Sequence, residues 1–187
     1  MSIFTTSSAP GKIAINPTAD MKLIFCLLLT STLFGQNADC LKYEQKIFDS
    51  DTCCWRKLSK ENQFEKAAGL IADYLKNGKA ENRQSLNWHA GQLFAFAGEN
   101  KKALRYFGKT YSVFQKWFGG EDGKAWYFFA KGTSAFIKKD RPKLEKIIKK
   151  WEAKLPLDAN YSELNALKDN WGKDYRNATF GNRRPAH

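Results

Sequence analysis

The sequence predicts an all-α domain built from helical hairpins, and three observations carry the prediction. Apolar residues recur at helical spacing. Ala103, Tyr106, Phe107, Tyr111, Phe114 and Phe118 form one stripe, and Leu144, Ile147, Ile148, Trp151 and Leu155 another. Helix-ending glycines mark the breaks, as in "KNGKAEN" (76–82) and "FGGEDGK" (118–124). The sequence also repeats on itself: Trp88–Phe107 aligns with Phe129–Ile148 at a shift of 41 residues. At that shift Gly91 meets Gly132, Ala103 meets Leu144 and Phe107 meets Ile148, while a shift of 36 the other way brings Ala67 to Ala103 and Ile71 to Phe107. Self-similarity at these lengths is the signature of helix–turn–helix units. No segment alternates as a strand does.

In chain order, residues 1–35 are expected to lie outside the domain. Met21-Lys22 leads into "LIFCLLLTSTLFG", an almost uncharged apolar run followed by polar "QNADC". A basic start, an apolar stretch of this length and a small residue at its end match a secretory signal with core 21–35, cut after Gly35. The run is shorter than the roughly 20 apolar residues that span a bilayer. Residues 1–20 are an unusual prefix to such a signal, and Met21 is a second candidate start. An exported, periplasmic or secreted, bacterial protein is expected, with no transmembrane span after cleavage.

Residues 36–178 are expected to form one domain. Its hairpins are placed at 41–60 with 63–76, 82–97 with 100–117, and 122–137 with 141–154, followed by a capping helix near 160–171. Asp140 precedes Arg141-Pro142, a cap and a proline where the missing N–H is harmless. Residues 179–187 are expected to be a disordered tail.

The repeat pattern resembles the tetratricopeptide repeat. That family sets small residues in its first helix, an aromatic three later, an alanine early in the second helix, an aromatic four on, and a closing proline. Gly91, Phe94, Ala103 and Phe107 fill four of these places; Gly132, Ala135, Leu144, Ile148 and Pro156 fill the next unit, and Ala67 and Ile71 match in the earliest. The resemblance covers about residues 50 to 158, with unequal unit lengths. It implies a short solenoid of about three hairpins whose first helices line a concave groove. The aromatics of those helices, Trp88, Phe94, Trp126 and Phe129, are the implied anchors for a protein or peptide partner.

Charge offers a second surface. The chain carries 31 Lys and Arg against 19 Asp and Glu, a net of +12; without Lys12, Lys22 and Asp20 the remainder holds 29 against 18, a net of +11. Residues 98–117 have a net of +4 and residues 138–154 a net of +5. Lys101, Arg105 and Lys109, and Lys143, Lys146, Lys150 and Lys154, lie opposite the apolar stripes. Such a face suits an anionic envelope surface or polysaccharide. Nucleic acid is not expected, because its binding surfaces interleave rings with the charges and here the rings are on the other side.

Three cysteines follow the signal: Cys40, Cys53 and Cys54. Export permits a disulfide, and Cys40 is expected to bridge Cys53 or Cys54, since neighbours strain the peptide between them. Their spacing, with no nearby histidine, is not a common zinc pattern, so no metal is expected, and no cofactor. His89 is the one histidine besides the terminal His187. Nothing in the sequence sets a nucleophile and an orienting acid beside it, as a triad requires, so no catalytic residue is assigned. Asn160-Tyr-Ser and Asn177-Ala-Thr are glycosylation sequons that matter only in a glycosylating cell. The expectation is an exported, non-catalytic binding or scaffolding module. A peripheral protein held by basic helix faces is the alternative, and an enzyme using His89 or a free cysteine stands third.

Overall fold

A computed structural model describes residues 39–154 and 159–180. The chain divides into two units, Met1–Ala38 and Asp39–His187, and every described residue belongs to the second. The expected export signal, Pro156 and residues 181–187 lie outside the described residues.

The elements are α1 (Gln45–Phe48), α2 (Cys54–Lys60), α3 (Phe64–Asn77), α4 (Arg83–Phe96), α5 (Asn100–Phe107), α6 (Val113–Phe118), α7 (Gly120–Ile137), α8 (Arg141–Glu152), α9 (Ala159–Asp169) and α10 (Tyr175–Phe180). Among the described residues there is no strand, only an isolated bridge between Glu44 and Lys79. The all-α class is as predicted. No helix among the described residues is long and apolar enough to cross a membrane.

Three of the turns are built alike. Asn62, Gly98 and Lys139 each take a positive φ, of 59°, 80° and 56°. In each turn the next residue's N–H reaches back five residues: Gln63 to the Leu58 carbonyl at 2.9 Å, Glu99 to Phe94 at 2.8 Å, Asp140 to Ala135 at 2.9 Å. The N–H of the positive-φ residue itself bonds the carbonyl three back, at Ser59, Ala95 and Phe136. This paired pattern satisfies the orphan carbonyls of a helix end and reverses the chain. It joins α2 to α3, α4 to α5 and α7 to α8. The three turns stand 36 and 41 residues apart in the numbering, the same shifts at which the sequence aligns with itself.

Close helix contact explains the aligned glycines. A Cβ on Gly91 would stand 2.7 Å from two ring carbons of Phe107, and one on Gly132 would stand 2.5 Å from a Leu164 methyl. The two sites are filled from different places. Gly91 receives its own hairpin partner, α5, whereas Gly132 receives α9. The capping helix thus takes the place in the third hairpin that the second helix takes in the middle one. α9 packs on both α7 and α8, with Leu164 fully buried.

The second and first hairpins differ from expectation in ways the local chemistry explains. One helix was expected over 100–117; instead α5 ends at Phe107, and α6 starts afresh at Val113. The buried Thr110 hydroxyl donates to the Phe107 carbonyl at 2.8 Å, and Ser112, extended at φ −139° and ψ 160°, caps the new helix by accepting from Gln115 N at 3.1 Å. Side-chain bonds of this kind offer the backbone an alternative to the helical ladder. In the first hairpin the expected helix 41–60 is split into α1 and α2. Between them the Asp49 carboxylate accepts from the Trp55 indole at 2.8 Å and its carbonyl accepts from Arg56 at 2.6 Å.

This N-terminal segment is tied down by polar contacts. Gln45 Oε1 accepts from the N–H groups of Glu81 and Asn82 at 2.8 and 2.7 Å. The buried Tyr74 ring stacks on Phe48 at 3.8 Å, and its hydroxyl lies 2.8 Å from the Tyr43 carbonyl and 3.0 Å from that of Lys79. At the other end α10 packs on α4 and α9. Thr179 and Phe180 belong to it, so the tail expected from residue 179 begins no earlier than 181.

Candidate binding surface

The aromatics of the first helices hold the protein together. Trp88, Phe94 and Phe129 are only 6%, 6% and 5% exposed. The Trp88 ring lies 4.7 Å from Phe107, 4.8 Å from Trp126 and 5.1 Å from Phe129. Trp126 is half-buried, and its indole N–H donates to the Thr110 carbonyl at 2.7 Å. The expectation that these four rings line an open groove is corrected. Adjacent helices approach so closely, glycine against ring, that the rings fill the space between them. Interdigitated aromatic pairs add to the area that they bury.

The exposed aromatics are elsewhere. Val113, Phe114, Trp117 and Phe118 on α6 are 61%, 69%, 68% and 75% exposed. All four lie on one side of the helix, and the Phe114 and Phe118 rings touch each other at 4.6 Å between centroids. The inward side is polar. Gln115 donates to Gln84 Oε1 of α4 at 2.9 Å, and the Lys116 ammonium lies 5.4 Å from the Tyr127 ring of α7 and 5.3 Å from that of Trp117. No residue of α6 is buried. This helix is inverted: its amide and ammonium face the protein and its rings face solvent. Single exposed apolar residues are ordinary, but a contiguous set marks a contact surface. In the sequence Phe114 and Phe118 fell on the buried stripe of the single long helix. The readable signal against that was "GKTYS" (108–112), a break and a new cap.

The basic residues stand as expected on exposed faces. Lys101 and Arg105 on α5, Lys109 just beyond it, Lys143, Lys146 and Lys150 on α8, and Lys154 after it are all exposed. None of the seven forms an ion pair among the described residues. The ion pairs present use other cations, such as Lys102 with Glu65 at 2.9 Å and Arg141 with Glu145 at 2.8 Å, together with Lys79 and Glu44.

His89 is half-buried against the Trp55 indole at 5.1 Å between centroids. Burial first, and then the charge of Arg56, hold its imidazole below the usual histidine range, against the opposing pull of Asp49 and Gln92. These surroundings are those of a packing histidine. Tyr175 is pushed up to about 12 by burial, so its phenol stays protonated near neutrality. It lines, with Phe129 and Leu167, a concavity of about 290 Å³ between α7, α9 and α10.

Cys40 is bonded to Cys54, which settles the open choice of partner. Cys53 keeps its thiol, half-buried and 3.0 Å from Cys54 Sγ. The three sulfurs lie within 4.8 Å of one another. With two of them oxidised, one donor remains, too few to hold a metal by themselves.

The sequence matches no protein-family model and no curated protein, and the fold matches no solved structure.

Proposed function

We propose that this protein is an exported, non-catalytic docking module that engages its partner through α6. One observation carries the reading: α6 presents four large apolar side chains to solvent and turns its polar side inward. Covering a large side chain stabilises by about 1.5–3 kcal/mol when burial is complete, so these two-thirds-exposed residues together offer several kcal/mol to whatever covers them. The Cys40–Cys54 disulfide supports the export half of the proposal, since such bonds persist in oxidising compartments. The three alike turns at 36 and 41 residues support a hairpin repeat of tetratricopeptide-like kind, in which a short stack of hairpins acts as a rigid mount for the docking element.

The test compares the wild-type chain with a Phe114→Ser, Trp117→Ser, Phe118→Ser variant. Both are exposed to an envelope extract, and retained protein and lipid are identified by mass spectrometry. Material held by the wild type and lost by the variant is what α6 binds. Identical retention by two equally folded chains would refute the role of α6.

A second reading rests on the exposed lysines of α8. Lys143, Lys146 and Lys150, with Lys154 after it, form an unpaired cationic face suited to an anionic surface or polysaccharide. Replacing all four with glutamine should then remove low-salt retention of anionic material; full retention would reject this reading.

A further inference from the structure

The outward residues of the inverted helix α6 are each more than 60% exposed, and their chemistry narrows what can cover them. The helix is six residues long and held to the rest of the molecule by Gln115 and Lys116. Its outward side offers Phe114, Trp117, Phe118 and Val113, with no polar group among them except the Trp117 indole N–H. That N–H has no hydrogen-bond partner among the described residues. A protein hot spot needs a shaped pocket with a polar rim. A bilayer interface needs neither. It accepts aromatic rings at the depth of the headgroups, offers ester carbonyls to an indole N–H, and favours flanking lysines.

Charge around the patch has the matching sign. Arg105, Lys109, Lys116, Lys124 and Lys131 lie within 105–131 against Glu121 and Asp122, a local net of +3 within a chain of +12. None of these five cations forms an ion pair among the described residues. Three of the lysines are instead seated on rings: Lys109 over Tyr106 at 4.9 Å, Lys116 between Trp117 and Tyr127, and Lys131 over Tyr127 at 4.9 Å. Uncompensated lysines beside exposed aromatics are complementary to an acidic headgroup layer.

We infer that α6 is an interfacial anchor that seats the protein on an anionic lipid bilayer, with Phe114, Trp117 and Phe118 entering the headgroup region and the exposed Arg105 and Lys109 ahead of the helix contacting the acidic lipids. This rests on α6 being the docking element, and adds what it docks to.

The full chain is mixed with vesicles of phosphatidylcholine alone, and with vesicles in which about three parts in ten are phosphatidylglycerol, and sedimented at low and high salt. The wild type should sediment with the acidic vesicles and be released as salt rises. The Phe114→Ser, Trp117→Ser, Phe118→Ser variant should bind them at least about tenfold more weakly, with an unchanged circular dichroism spectrum. Because every chain carries the same N-terminal residues, the difference between chains reports α6 alone. Tryptophan emission gives a second readout: acidic vesicles should shift it to the blue in the wild type, and Trp117→Phe should remove most of that shift. Equal vesicle binding by wild type and triple variant, or a full shift in Trp117→Phe, overturns the inference. If the wild type ignores vesicles but self-associates in sedimentation, and the triple variant does not, then the lipid assignment is wrong while α6 remains a docking face for a second copy. If neither behaviour depends on these rings, both readings fall.

Discussion

The glycine pair Gly69 and Gly91 isolates what close helix packing is worth here. Both sit inside 14-residue helices, α3 and α4. Replacing either with alanine gains about 0.8–1.0 kcal/mol of helix propensity. At Gly69 nothing lies within 4 Å of the new Cβ, so that gain should appear nearly whole. At Gly91 the new Cβ would stand 2.7 Å from two Phe107 carbons, where carbon atoms normally rest at about 3.5–4.0 Å. The ring has nowhere to retreat. Phe107 is fully buried, with Trp88 at 4.7 Å and Tyr175 at 6.3 Å. Overpacking of this kind costs about 1–3 kcal/mol. Propensity cancels between the two variants, so Gly91→Ala should fall below Gly69→Ala by about 1–3 kcal/mol. At about 2–4 °C per kcal/mol for a domain of this size, thermal melts followed by circular dichroism resolve the difference. Adding Phe107→Leu to Gly91→Ala should recover part of it, as a coupling energy in a double-mutant cycle. Two alanine variants of equal stability would refute the argument that glycine is needed for the approach of α5 to α4.

Three further outcomes follow from other contacts. His89 titrates below its ordinary value in the folded state, so below about pH 6.5 the unfolded chain takes up the proton first. Stability should fall as pH drops through that range, and His89→Gln should flatten the fall; denaturant midpoints at a series of pH values decide it, and parallel curves for both chains would count against it. Reducing the Cys40–Cys54 bond, which spans 14 positions, should cost about 3 kcal/mol. Peptide mapping of the native chain should find that pair intact and Cys53 alkylated, and a Cys40–Cys53 peptide would contradict the assigned pairing. The Thr133 hydroxyl is fully buried and has no hydrogen-bond partner among the described residues. The equally shaped Thr133→Val should therefore match or exceed the wild type in melting temperature, and a loss above about 1 kcal/mol would mean that the hydroxyl is bonded in solution.

Much of the architecture was legible in the chain itself. The apolar stripe on α8 and the alignment of Gly91 with Gly132 both reflect core contacts, and core contacts leave a periodic trace. Asp140 ahead of Pro142 marked a helix start that the structure keeps, with the carboxylate accepting from Lys143 N at 3.2 Å. The break at Gly108 was harder to read, because the apolar period runs through it unchanged. What ends α5 is one hydroxyl, that of Thr110, turned back on the Phe107 carbonyl. The docking surface was misplaced for the same reason. Periodicity reports which residues share a face, not whether that face looks in or out. In α6 the two polar residues that look inward, Gln115 and Lys116, are too few to reveal the inversion. Trp88 and Phe129 carried the opposite ambiguity: a ring on a first helix suits a groove or a core, and only the separation of neighbouring helices decides which.

The disulfide beside α1 also sets how tension would travel through the molecule. Force entering from the N-terminal side at Cys40 passes through two sulfurs to Cys54, and the residues between them carry none of it. The element strained first is then α2. Meanwhile α1 stays moored to the loop between α3 and α4 by Gln45 and to the Tyr74 hydroxyl by the Tyr43 carbonyl. Reduction would reroute the same pull through residues 41–53, peeling α1 from its mooring before any hairpin is reached.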